Sequence, residues 1–352
     1  MKTARLSYRL REPIARIASS FSMRCPACIA PVALLVMFAF ATAASAQQLE
    51  VLRKIPDDLM RYTGGAWPDA DGMVGHNRGG FKSPEFQRGA MHSMIRAILR
   101  GYQGGIDRDW LAIDATFFEQ APNGSFSRGG ARHGGPSAVA IWLAELDQAV
   151  LVLRQSKFGP KYKKRIDQLV PKIHKAARWL AQPRYQKLLR REDAEAPNRL
   201  LFNALAYGLS GVLADDEELK QIGRRFVDLA MDKFRESDGV FLERGGADSS
   251  YQAVAALKLQ VWTLYFPDKK LETAIDRAVR WELGRIGPAG RVEVAGNTRT
   301  GLGQETWMGR AKGVNRSEIT LCLLYYYART GDPQSLDAAR RIVQRRKRKH
   351  LP

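Results

Sequence analysis

Connections of two very different lengths alternate along this chain, between segments whose apolar residues recur every three or four positions. Lys157–Pro160, Ala214-Asp215, Phe266-Pro267 and Thr330–Pro333 are tight breaks, whereas 63–83, 120–135, 183–197, 237–248 and 287–315 are long, polar and rich in glycine. The segments between them carry stripes such as Val139, Trp142, Leu143, Leu146 and Val150, or Phe226, Leu229, Ala230 and Phe234. That spacing puts apolar side chains on one face of a helix, and strand-like alternation is scarce. Helices are expected near 48–62, 84–101, 107–119, 136–156, 160–182, 198–213, 216–236, 249–265, 268–286, 316–329 and 333–347. Those after the long connections begin near 84, 136, 198, 249 and 316, at spacings of 52, 62, 51 and 67. This is a repeated helical hairpin with little identity between copies. If each hairpin is antiparallel, all tight turns lie at one end and all long loops at the other. The expected class is all-α, an α/α toroid built as an incomplete ring of hairpins, with an open solenoid as the other arrangement.

The first 46 residues read as an address. Lys2, Arg5, Arg9, Arg11, Arg16 and Arg24 form a basic leader, and the stretch from Cys25 to Ala46 is uncharged and ends in Ala44-Ser45-Ala46. Basic, apolar and small-residue segments in that order make a secretory signal. The apolar run is nearly long enough to span a bilayer, so an uncleaved anchor is the alternative, and the small residues before Gln47 favour cleavage. The expected mature chain is 47–352, one domain with a basic C-terminal tail, periplasmic or secreted, with no stable membrane insertion once the signal is removed. The leader holds six basic residues and one acid, so the net charge falls from +20 to +15. Seven more basic residues lie in Arg340–Lys349 with no acid among them, leaving +8 elsewhere. Such an excess biases an exported protein toward acidic partners, polyuronates or an anionic cell surface, and nucleic acid is not expected. Cys322 is the single mature cysteine. It can form no intramolecular disulfide and reads as a buried filler.

Loops presented by a rigid scaffold carry function, so the long loops hold the candidate residues. The first offers Trp67, Asp71 and His76; the second Arg128, Arg132 and His133; the third ends in Asn198-Arg199. The fourth contains Glu243, Arg244 and Asp248, with Tyr251 in the next helical turn. The fifth supplies Asn297, Arg299, Glu305, Trp307, Arg310, Asn315 and Arg316. His92 and His174 fall inside helices and read as surface or core residues. Each loop residue also has a plain structural reading. Asp248 and Asn198 are placed as helix N-caps, and Asn315 with Glu318 makes a capping box. Convergence of arginine, asparagine, histidine and tyrosine on one end goes beyond what capping requires. No H-E-x-x-H, G-x-S-x-G, P-loop or dinucleotide fingerprint occurs, so neither metal nor cofactor is expected.

The stretch DGVFLERGGADSSYQAVAALKL, residues 238–259, resembles the segment that carries the catalytic tyrosine of α/α-toroid polysaccharide lyases, the alginate lyase and heparinase-like group. In that family an arginine precedes the tyrosine by seven residues, a spacing that Arg244 and Tyr251 keep. An asparagine–histidine pair opens a helix about fifty residues upstream; APNRLLFNALAYGL offers Asn198, with Arg199 in the histidine's place. The resemblance covers roughly 195–265, and His133 is the candidate to replace the missing histidine.

The resemblance implies β-elimination on a uronic acid. Asn198 with Arg199 or Arg316 would neutralise the carboxylate and stabilise the enolate-like intermediate. Tyr251 would take the C5 proton and return it to the O4 leaving group, with Arg244 and the helix N-terminus favouring phenolate. Trp67 and Trp307 would stack on sugars or simply pack the loops, and His76 and Arg310 would line the cleft. An inverting glycoside hydrolase is the second reading, using two carboxylates among Glu243, Asp248, Glu305 and Asp71 held about 6.5–9.5 Å apart. A non-catalytic polysaccharide-binding protein is the third. In every case the expected partner is an acidic polysaccharide or oligosaccharide.

Overall fold

The computed structural model describes residues 48–126, 135–307 and 309–348. The expected signal segment and Arg128, Arg132 and His133 lie outside them. Of the described residues, 67% are helix and 4% strand. After α1 (48–53) and the short α2 (Asp57–Met60) come α3 (Arg88–Leu99), α4 (Gln103–Phe118), α5 (Pro136–Gln155), α6 (Gly159–Leu180), α7 (Pro183–Glu192) and α8 (Pro197–Ala214). Then follow α9 (Glu217–Met231), α10 (Ser249–Tyr265), α11 (Lys269–Gly284), α12 (Arg316–Thr330) and α13 (Pro333–Arg348).

Four expectations are corrected. The span 48–62 divides before Pro56, whose ring removes a donor and disfavours helix in the residue ahead of it. The connection 183–197 carries α7, which opens on Pro183 as a favoured first residue and buries Leu189. Helix 216–236 stops at Met231. Beyond it, β1 (Phe234–Arg235) pairs antiparallel with β2 (Val240–Phe241), turning through Gly239 at φ 76°. A second small hairpin, β3 (Thr306–Trp307) with β4 (Arg310–Ala311), lies in the fifth loop.

The helices divide into two rows. α3 packs on α5, α5 on α8, α8 on α10 and α10 on α12, and each also packs on the helix that follows its tight break: α4, α6, α9, α11 and α13. Composition explains the division. α5, α8 and α10 are buried nearly all round, and helices apolar on every side belong inside. α6, α9 and α11 bury one stripe and give the rest to solvent. α5 is the only helix among the described residues long and apolar enough to cross a membrane, and it is a core helix here. α8 and α9 meet at backbone contact: a Cβ on Gly223 would lie 2.7 Å from the Ala204 carbonyl oxygen and 2.9 Å from the Gly208 nitrogen.

Contacts between connections show which lie together. The Arg244 amide donates to the Glu195 carbonyl at 2.9 Å, and the Thr298 amide to the Ala247 carbonyl at 2.9 Å. Gly64 approaches Ser317, and Arg199 at the start of α8 donates to Ser137 at the start of α5 at 2.7 Å. Near the tight breaks, Arg154 at the end of α5 donates to the Leu213 carbonyl at the end of α8 at 3.4 Å, and Arg224 in the middle of α9 pairs with Asp268, the cap of α11, at 2.7 Å.

Between α3, α5 and α10 lies a buried ionic cluster that no sequence motif marks. Lys258 of α10 meets Glu145 of α5 at 2.5 Å, and both side chains are only 3% exposed. His92 of α3 reaches the other Glu145 oxygen at 3.0 Å. Phe202 of α8 lies under the Lys258 ammonium at 4.7 Å, and Gln148 donates to Tyr325 of α12 at 2.5 Å. Burial pushes the Glu145 carboxyl up, but Lys258 and His92 outweigh it and hold the group well below the usual carboxylate range. The Glu145 cluster thus joins α3, α5 and α10, the Phe202 ring brings α8 against it, and the separate Gln148–Tyr325 bond ties α5 to α12. Lys258→Met leaves Glu145 buried without its main counter-charge and is expected to cost about 3–5 kcal/mol in chemical denaturation. Adding Glu145→Leu is expected to recover most of that loss, because an apolar pair can replace a buried ion pair at little cost.

Candidate functional site

α10 begins where it does because Asp248 caps it. Its Oδ1 accepts from the amides of Ser250 (3.0 Å) and Tyr251 (3.3 Å). Its Oδ2 accepts from the amides of Arg299 (2.9 Å) and Thr300 (2.7 Å), and the Thr300 hydroxyl donates to Oδ1 at 2.8 Å. Asp248 is fully buried, so one carboxylate ends the fourth loop, starts the helix and fastens the fifth loop beside it. Asn297 strengthens the seam, its Oδ1 accepting from the Ser249 amide at 3.2 Å. Asn315 caps α12 through the Glu318 amide at 3.3 Å, and its own amide donates to the Ser250 hydroxyl at 2.8 Å.

That seam delivers three charged side chains to Tyr251. The phenol donates to Glu305 Oε2 at 2.8 Å, and the Lys312 ammonium donates to the phenol oxygen. The Arg299 guanidinium lies over the tyrosine ring at 4.1 Å. Arg299 grips Glu305 with two nitrogens, Nε to Oε2 at 3.0 Å and Nη2 to Oε1 at 2.8 Å, a fork-on-carboxylate contact. Its remaining nitrogen, Nη1, donates to Glu243. The fifth loop folds back to make this possible, with the Lys312 amide donating to the Glu305 carbonyl at 2.8 Å around the β3–β4 hairpin.

The electrostatics follow from burial and these partners. Burial and the hydrogen bond to Glu305 raise the Tyr251 phenol well above its ordinary value, against the pull of Arg299. This corrects the expectation of a phenolate favoured by Arg244: the resting group is neutral, and the cations on it are Arg299 and Lys312. Arg244 is exposed, holds a left-handed backbone at φ 52°, and acts on Glu243. Burial pushes Glu243 up to about 7 in spite of Arg299. Burial also raises Glu305, but the bonds from Arg299 and Tyr251 outweigh it and hold that group below its ordinary range. Lys312 is lowered, chiefly by burial.

The remaining candidates are dispersed. Asn198 is buried at the second position of α8, so it does not cap that helix; Ala196 precedes the first turn. Arg199 is spent on Ser137. Trp67 is 58% exposed with Arg108 stacked on it at 4.4 Å, and His76 meets Phe86 edge-on at 5.1 Å. Asp71, Arg310 and Arg316 are exposed. Trp307 places its backbone in β3, and its side chain lies outside the described residues. His174 pairs with Asp216 at 2.8 Å, and Cys322 is buried and unpaired by disulfide, as a filler would be. No group of three or more potential metal ligands occurs among the described residues. Nothing in the sequence assigns a role to Arg299 or Lys312; the only signal is the loop they share with Glu305.

No protein-family model matches the chain, and no curated protein does.

The Glu243 shift has a definite sign. Its folded-state value lies above the ordinary 4.5, so the folded chain keeps a proton that the unfolded chain releases. The stability this gives is fully present below about pH 4.5 and is lost as the pH rises to about 7. Thermal melts of the parent are expected to fall across that interval, and Glu243→Gln to flatten part of the slope; an identical slope would place the proton uptake elsewhere.

Proposed function

We propose that the chain is a polysaccharide-processing enzyme of α/α-toroid architecture that works by proton transfer at Tyr251 on a uronic-acid-containing glycan. The inner and outer rows of helices, and long connections that touch one another, support the toroid. The observation that carries the chemistry is the Tyr251 hydroxyl held between a carboxylate and an ammonium at the start of α10. A phenol so placed can pass a proton in either direction, because Glu305 takes one while Lys312 stabilises negative charge on the oxygen.

In β-elimination the C5 proton moves to the Tyr251 oxygen as the phenolic proton passes to Glu305. The C5 electron pair forms the C4=C5 double bond and the C4–O4 bond breaks. O4 leaves with the tyrosine's proton, and Glu305 returns its own to the phenol. Lys312, about one-third exposed beside the hydroxyl, is the cation best placed to meet the substrate carboxylate, in place of the Asn198, Arg199 and Arg316 that the family resemblance implies. The hydrolase reading draws on the opposite pKa shifts of Glu243 and Glu305. Glu243, however, is 1% exposed beneath Arg299, which keeps it from a glycosidic oxygen.

Tyr251→Phe is expected to lower turnover of a polyuronate about 10²–10⁴-fold with little change in melting temperature. Lys312→Ala is expected to lose on the order of 10²-fold, while Arg244→Ala is mild. The assay follows ultraviolet absorbance of the unsaturated uronate product. New reducing ends without that absorbance would establish the hydrolase, and tight binding with neither signal would establish a non-catalytic binder.

A further inference from the structure

α6 bears a row of lysines that neither the fold nor the Tyr251 site employs. Lys161, Lys164, Lys172 and Lys175 are all exposed, and none makes an ion pair with another described residue. Other cations of this helix are engaged: Lys163 with Asp167 at 2.6 Å, Arg165 with Asp114 at 2.8 Å, and Arg178 with Asp216 at 2.5 Å. With 3.6 residues per turn, the four lysines and Gln168 between them fall within an arc of about 80°. At about 1.5 Å per residue the row runs for roughly 21 Å. It is a file of exposed ammonium groups along the solvent side of α6, with Pro171 inside the helix between Lys164 and Lys172 and with Lys161 acting on a nearby carboxylate, Asp107.

We infer that this row is a docking track for a linear acidic polysaccharide, separate from the Tyr251 site. A single file of charges matches a linear polyanion better than a planar membrane. None of the large exposed hydrophobic residues lies on α6 to enter a bilayer. The row contains lysine without arginine forks or aromatic platforms, the features that bind nucleotide phosphates and stack bases. Compact hydrated ammonium groups suit the dispersed carboxylates of a glycan and bind them with strong dependence on salt. The inference shares the acidic-glycan class proposed above but requires no turnover.

The test measures binding of the full chain to polygalacturonate across ionic strength, with dextran, single-stranded DNA and phosphatidylglycerol vesicles as comparison ligands. The variant Lys161→Gln, Lys164→Gln, Lys172→Gln, Lys175→Gln is expected to lose about tenfold or more in affinity at low salt, with a shallower salt dependence. Changing the same four to Arg is expected to keep the parent's affinity. Tyr251→Phe is expected to bind as the parent does, so its loss of turnover with binding intact separates the track from the catalytic reading. If the four-Gln variant melts early, the pairs Lys161→Gln, Lys164→Gln and Lys172→Gln, Lys175→Gln replace it, each expected to lose about half the logarithmic effect. Unchanged polygalacturonate binding in these variants overturns the inference. So does a parent that fails to bind polygalacturonate, or a loss confined to DNA or vesicles.

Discussion

Asp248 is the residue on which scaffold and site both depend. A buried carboxylate is costly unless every lone pair finds a donor, and this one takes four amides and a hydroxyl. Two of the amides are the free ends of α10, which any helix leaves unsatisfied. The others belong to the fifth loop, fifty-one and fifty-two residues away. The same carboxylate therefore fixes where α10 starts and where Arg299 stands, and Tyr251 is positioned by the first of these and its charged neighbours by the second.

Above that anchor the site is arranged as a chain of opposite charges. Arg299 stands between Glu243 and Glu305, and Glu305 faces both Arg299 and Lys312. Burial and charge act against each other differently on the two acids. Deep under Arg299, Glu243 loses more to desolvation than its partner returns, whereas Glu305 near the surface gains more from its hydrogen bonds than burial takes away. Two carboxylates on one arginine are thereby pushed in opposite directions, with the neutral phenol of Tyr251 on the more acidic one. The Glu145–Lys258–His92 group deeper in the inner row has a different character. Its charges are satisfied internally and tie α3, α5 and α10 together.

The sequence determined the helices of the two rows, the tight breaks between them and the pairing into hairpins, because apolar periodicity and short turns are local properties. Capping by Asp248 and Asn315 was legible for the same reason: a cap and the amides it serves lie within three residues. Elements whose stability comes from neighbours were not. α7 is dominated by charge and holds one buried leucine, and two-residue strands have no periodicity to read.

Tyr251, Glu243 and Glu305 were recognisable as candidates from residue type and loop position. Which of them meet was decided only in the tertiary structure. Arg244, seven residues before Tyr251 in sequence, points its backbone into a left-handed turn and leaves its side chain in solvent. Arg299 and Lys312, forty-eight and sixty-one residues beyond Tyr251, supply the cations instead. Sequence spacing fixes neighbours only along a helix or across a short turn. A long loop can return any of its residues to the helix it follows, and here the buried hydrogen bonds of Asp248 select which ones.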